Sequence, residues 1–213
     1  MTTAQTTSET AAAIPDRLTW EEFLAWETEV RAEWVAGEVV IMSPNTGLHQ
    51  KVVALIHLLL WTFLKRTKQG DVWAAPVLMR LPEKPSGREP DVIVLLQAHL
   101  DRYRETFIDG PADLVVEVMS EESQVRDRGE KYYEYEAAGI PEYWLIDPVR
   151  EAADFYRLDD KGHYQRIPAN ADGRYPSAVL PGFVIDPAWL WRAEAIDPGE
   201  AVALVEGMLA ELP

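Results

Sequence analysis

The strongest helical periodicity in the chain runs from about Leu48 to Lys68. There Val52, Val53, Leu55, Ile56, Leu59, Leu60, Phe63 and Leu64 cover most of a helical circumference, the mark of a central, buried helix. Upstream, Thr19 with Glu22 three residues later has the spacing of a capping box. It predicts a short helix that buries Leu18, Phe23 and Trp26. Glu33 to Ile41 reads as two short strands about Ala36-Gly37, where Gly37 permits positive φ, and Ser43-Pro44-Asn45 ends the second. The periodicity then changes to that of strands, at Val72 to Leu81, Asp91 to Leu96, Leu114 to Met119 and Tyr143 to Ile146. The last three carry few charges, as strands buried on both faces do. Pro82 to Gly87 is a loop by composition. Gln124 to Ala138 predicts a helix stopped by Gly139 and Pro141. Asp154 to Leu158 and His163 to Ile167 flank a turn at Asp159-Asp160-Lys161-Gly162 as a hairpin, and Pro198 to Leu212 predicts a closing helix. This order implies one mixed α/β domain over residues 17–213, with helices packed against a sheet. Residues 1–16, small and polar in their first part, are expected to form a disordered tail.

Composition narrows the function classes. The 213 residues are 47% hydrophobic and 26% charged, which excludes bulk disorder. There are no cysteines, so thiolate zinc sites and cysteine nucleophiles are excluded. Acidic residues number 36 against 20 Lys and Arg, a formal net charge of −16. Coating or packaging nucleic acid needs many cationic contacts to phosphate, so that class loses support. An enzyme acting on DNA survives if metal ions and a local basic rim overcome the global field. The N-terminus lacks a basic start and an apolar stretch. The apolar run Val52 to Leu64 is interrupted by His57 and Thr62 and is short for a bilayer. A cytoplasmic protein without a membrane partner is expected. The eight tryptophans and eight tyrosines exceed the needs of one core, and Trp189 and Trp191 are expected to form an exposed patch. A homodimer follows as an expectation.

Candidate chemistry sits on the central strands. Asp91 opens one apolar strand, and Glu117 lies in the middle of another, between Val116 and Val118. Strand alternation puts Leu114, Val116 and Val118 on one face and Val115, Glu117 and Met119 on the other. A charge between core valines is costly unless it is paired or bound to metal. Two carboxylates on neighbouring strands suit a hard cation, since Mg²⁺ typically uses one or two carboxylates with water and phosphate. The same spacing is also that of strand-end carboxylates meeting solvent or an arginine. Asp127, Lys131 and Tyr135 share one face of the next helix. Lysine there could stabilise charge on a phosphate, and taken alone the pair reads as an exposed Asp127–Lys131 ion pair. His49 starts the long helix, where it can point into a cleft. His57 reads as a core histidine, and His99 and His163 as surface residues. No HExxH, GxSxG, GxGxxG or Gly-rich phosphate loop is present.

The ordered set Glu33, Gly37-Glu38, His49, Glu89-Pro90-Asp91-Val92, Val115-Val116-Glu117-Val118, Asp127, Lys131 and Gly139-Ile140-Pro141-Glu142-Tyr143-Trp144-Leu145-Ile146-Asp147-Pro148 resembles the Uma-two family, named as restriction endonucleases within the PD-(D/E)XK nuclease superfamily. The resemblance covers nearly the whole chain after about residue 17. It implies a restriction-endonuclease-like fold, a mixed central sheet flanked by helices, and a metal-dependent endonuclease that hydrolyses DNA. By that analogy Asp91 and Glu117 hold Mg²⁺ or Mn²⁺. Met119 stands where the superfamily's lysine is expected, and the resemblance implies that Lys131 supplies the ammonium instead. Glu33 and His49 match positions near the same cleft, in assisting roles. Ala36-Gly37 stands where the family usually has Asp-Gly. The rival reading is a catalytically inactive nuclease scaffold that binds a protein partner, favoured by the acidic charge and by Met119.

Overall fold

Local signals in the sequence set most of the elements. A computed structural model describes residues 14–211, apart from Glu83 and residues 121–126. The expected tail therefore lies almost wholly outside the described residues, as does the start of the helix expected from Gln124. The capping box at Thr19 is formed in both directions, Thr19 Oγ1 accepting from Glu22 N and Glu22 accepting from Thr19 N. It starts helix α1 (Trp20–Ala25). Strands β1 (Ala32–Val35) and β2 (Glu38–Ile41) form the hairpin, with Ala36 and Gly37 at φ 49° and 92°. Thr46 caps the long helix α2 (Gly47–Thr67).

The run expected as one strand from Val72 to Leu81 is two. β3 (Gly70–Ala74) and β4 (Leu78–Leu81) lie in different sheets. Pro76 between them has no N–H for a ladder, and there the chain crosses from one sheet to the other. The end of the stretch expected as loop, Ser86 and Gly87, belongs with Arg88 to strand β5 (Ser86–Arg88), in which Gly87 lies so close to the Trp20 ring that a Cβ would collide with it. Then follow β6 (Val92–Leu96), a 3₁₀ turn (Gln97–Arg102), β7 (Phe107–Asp109), β8 (Leu114–Val118) and helix α3 (Glu130–Ala137). Gly139, at φ 76°, follows that helix. The remainder is β9 (Glu142–Asp147), the hairpin β10 (Ala152–Leu158) and β11 (Tyr164–Ile167), β12 (Tyr175–Pro176), β13 (Val184–Ile185), α4 (Pro187–Leu190) and α5 (Pro198–Ala210).

The larger sheet has the order β11-β10-β9-β8-β6-β3 and is antiparallel except between β8 and β9. That parallel pair requires a crossover, and α3 lies in it. The second sheet has the order β2-β1-β5-β4-β7. The architecture is thus mixed α/β. One face of the larger sheet, with Leu114, Val116 and Val118, buries against α2 and α5; the other places Val115 and Met119 with Tyr135 and Tyr143. By length and composition α2 could cross a membrane, and half of its most apolar window is buried inside the protein. Trp189 and Trp191 are partly buried against the first core rather than exposed, because α4 docks Leu190 into it. Trp61, on the outer side of α2, is the tryptophan with substantial exposure among the described residues.

Candidate active site

Antiparallel pairing of β6 with β8 sets Val92 opposite Val116, which brings Asp91, just before β6, beside Glu117. Asp91 is fixed by two groups on one oxygen. Its Oδ2 accepts from Val118 N at 2.8 Å and lies 3.1 Å from His49 Nε2. His49 is the third residue of α2, and its own N–H donates to Thr46 Oγ1 at 3.2 Å. Its Nδ1 is buried and has no hydrogen-bond partner among the described residues.

Glu117 is held from α3. Its Oε1 accepts from Lys131 Nζ at 2.8 Å and from Tyr135 Oη at 2.7 Å. Lys131 also lies 3.1 Å from Glu33 Oε1 and 3.7 Å from Asp127 Oδ1. The Asp127–Lys131 pair, expected to be an exposed ion pair, is buried at 2% and 1% exposure. The cause of this burial is topological. The crossover lays this face of α3 on the sheet, so a helical spacing that usually faces water faces Glu117 instead.

Glu33 completes the cluster from β1. Its Oε2 accepts from Arg88 Nη1 at 2.9 Å, and its Oε1 accepts from Glu89 N at 3.1 Å. Arg88 grips Glu134 on α3 with two further bonds, Nε to Oε2 at 2.8 Å and Nη2 to Oε1 at 2.5 Å. All five residues singled out in the sequence are buried, in two adjoining groups: Glu33, Glu117 and Lys131 are joined through the ammonium, and Asp91 pairs with His49 close enough for its charge to act on Glu117. Glu38 is outside both, on the exposed hairpin edge with Arg17. Arg88, Glu134 and the role of Tyr135 were not evident from sequence. The helical spacing puts Tyr135 on the face of Lys131 without a role, and Glu134 could have been found from its i+3 spacing to Lys131. Arg88 lies between the expected loop, Pro82 to Gly87, and the strand expected from Asp91.

Electrostatics divides the two glutamates that share Lys131. Burial would raise Glu33, but Lys131, Arg88 and the Glu89 N–H hold it down at about 2. Burial raises Glu117, Lys131 opposes, and the neighbouring Asp127, Asp91 and Glu33 charges add to the rise. Burial alone would lower Lys131, and Glu117, Glu33 and Asp127 reverse that and keep it an ammonium.

Among the described residues, no cluster of three or more Asp, Glu, His or Cys has the arrangement of a metal cage. The donor set suits a different kind of cation site. Within the described residues Asp91 Oδ1 and Glu117 Oε2 accept no hydrogen bond. Two carboxylates with one oxygen each to spare fit Mg²⁺ or Mn²⁺, ions that complete their shell with water and substrate phosphate.

The mixed α/β fold has a counterpart among solved structures. A solved structure described as "a putative nuclease belonging to DUF820", from Anabaena variabilis ATCC 29413, superimposes with a TM-score of 0.70 and 16% identity. The match covers 83% of this chain and 98% of that one. Residues 20–188 match the Uma2 family, described as "Putative restriction endonuclease", and the chain belongs to that family. The "Uncharacterized protein slr1290" of Synechocystis sp. (strain ATCC 27184 / PCC 6803 / Kazusa) is 26% identical over 163 residues, which are 74% of this chain and 83% of that protein.

Proposed function

We propose that the protein is a metal-dependent endonuclease that hydrolyses phosphodiester bonds in DNA, with Asp91 and Glu117 as the ligands of Mg²⁺ or Mn²⁺. The observation that carries this reading is the convergence of Asp91 and Glu117 across β6 and β8, each with an oxygen to spare, beside the buried ammonium of Lys131. A bound divalent ion would polarise the phosphate and lower the pKa of its water. His49 and the Val118 N–H orient Asp91 through Oδ2. Tyr135 and Lys131 both occupy Oε1 of Glu117, which leaves Oε2 for the cation. Lys131 brings a positive charge that can stabilise the transition state on the phosphate. Glu33, anchored by Arg88, positions that lysine.

Plasmid nicking with Mn²⁺ tests the assignment. Wild type nicks, and Lys131→Ala and the Asp91→Ala, Glu117→Ala double variant lose at least about a hundredfold in rate, the scale of a removed transition-state charge contact. Isothermal titration of Mn²⁺ should show affinity in wild type and none in the double variant. Unaltered metal affinity there sinks the ligand assignment. The three carboxylates that already engage Lys131 and the net charge of −16 favour the scaffold reading as the second possibility. Protein that is inert with both metals on DNA supports it.

A further inference from the structure

A cavity of about 350 Å³ opens between α1, the segment leading into β1 and the turn before β4. Glu89 joins it to the candidate active site. The Glu89 N–H donates to Glu33 Oε1, while its side chain lines the cavity. Its carboxylate is close enough to feel the charges of both Glu33 and Lys131. Glu89 is 6% exposed, and Arg31 places both Nε, at 2.7 Å, and Nη2 on its Oε1. Within the described residues Glu89 Oε2 accepts no hydrogen bond, and Arg31 Nη1 donates none. Trp26 and Phe23 supply an aromatic wall, with ring centroids 6.4 Å apart and planes tilted by 43°. Trp26 is only partly buried, and Leu24 and Val30 continue the apolar lining.

We propose that this cleft takes one unpaired nucleobase beside the cleavage point, so that the preferred substrate is a nucleic acid with a single-stranded or extruded nucleotide. The inference rests on the nuclease reading of the neighbouring site. Every base has a face that can stack on an indole, and such stacking is tolerant of sequence. A carboxylate acceptor favours cytosine, adenine and guanine, which carry exocyclic amines, over thymine, which offers only its ring N3–H. Arg31 Nη1, which donates no hydrogen bond among the described residues, would be left for the adjoining phosphate. A base paired inside a duplex cannot enter a pocket of this kind without leaving the stack. The acidic surface disfavours long contact with a duplex backbone and does not weaken stacking at one position.

Fluorescence polarisation with labelled oligo(dC), oligo(dT) and a blunt duplex, in Ca²⁺ buffer, tests this. Wild type should bind oligo(dC) about tenfold more tightly than oligo(dT) or the duplex. Trp26→Ala should weaken both single strands by about tenfold in a protein that still unfolds cooperatively. Glu89→Met should erase the difference between oligo(dC) and oligo(dT). Equal affinity for strands and duplex overturns the proposal, as does unchanged binding by Trp26→Ala. Plasmid nicking in parallel separates the two readings. Nicking with both cleft variants indistinguishable from wild type overturns the cleft alone. Single-strand binding lost in Trp26→Ala, in a protein that cleaves nothing, upholds the cleft and removes the nuclease activity. Neither nicking nor binding overturns both.

Discussion

Glu142 and Glu117 sit on adjoining parallel strands, β9 and β8, at 0% and 3% exposure, and they are satisfied in opposite ways. Glu142 accepts from Trp144 Nε1 at 2.7 Å on Oε1, and from Ser177 Oγ, Ala178 N and Val179 N at 3.0, 2.8 and 3.0 Å on Oε2. Both of its oxygens are used, all by neutral donors of its own chain. Glu117 accepts a lysine and a tyrosine on one oxygen and nothing among the described residues on the other. The sequence treats the two alike, as acids within or beside apolar strands. Burial of a carboxylate thus does not distinguish a structural anchor from a chemical group. The distribution of donors over its two oxygens does.

The largest effect expected from this comparison is in Glu142→Ala. It removes the acceptor of four donors at once, two of them buried and two part-buried, and buried groups without partners cost about 1–3 kcal/mol each, offset in part by local rearrangement. A loss of about 3–5 kcal/mol in urea unfolding is expected. A loss below about 1 kcal/mol would show that the loop at Ser177 to Val179 finds other partners, and the contrast with Glu117 would collapse.

Second in size is the acid dependence carried by Glu33. It is fully buried, and Lys131 and Arg88 overcome the effect of burial and hold it at about 2 against an ordinary 4.5. The folded state therefore binds this proton more weakly than the unfolded chain. Its contribution is complete above about pH 4.5 and disappears as the pH falls from there towards 2. It amounts to roughly 3 kcal/mol at 1.36 kcal/mol per unit. Urea unfolding at about pH 6 and about pH 3 should show wild type losing more stability than Glu33→Gln, which has no such proton to take up. Equal losses would mean that Lys131 and Arg88 do not hold Glu33 charged.

Much of this arrangement was legible in the sequence, for reasons that differ residue by residue. The two-residue period of β8 showed that Glu117 opposes the face of Leu114, Val116 and Val118, and the two cores divide accordingly. The apolar circumference of α2 told that it is central. What escaped depended on contacts distant in sequence. Pro76 marks a change of sheet only when both sheets are known, so β3 and β4 read as one strand. Arg88 lies in a three-residue strand whose burial comes from Glu33 and Glu134, 55 and 46 positions away. The polar face of α3 looked exposed because helical spacing gives a direction and does not say what faces it. Family resemblance supplied Lys131 where spacing alone favoured an ordinary surface pair.

The smallest expected effect on stability is in Glu117→Gln, and it sharpens the comparison most. Glutamine keeps an oxygen that can accept from Lys131 and Tyr135, so the contacts at 2.8 and 2.7 Å have a replacement acceptor. Removing the carboxylate also removes a charge that burial disfavours and that Asp127, Asp91 and Glu33 repel. Lys131 retains Glu33 and Asp127 as partners. These terms nearly cancel, and the melting temperature without metal should stay equal to wild type or rise slightly. The difference appears on adding Mn²⁺. On the proposed reading, wild type gains about 2.7 kcal/mol at a metal concentration of about 100 Kd, while the variant, lacking one of two ligands, gains almost nothing. Glu142→Gln offers the inverse control, because its NH₂ must face donors that need an acceptor. It should melt lower than wild type and keep the full metal gain, provided that it folds. A Glu117→Gln protein that melts lower but still gains the full Mn²⁺ shift would make Glu117 an anchor like Glu142, and the cation would have to bind elsewhere.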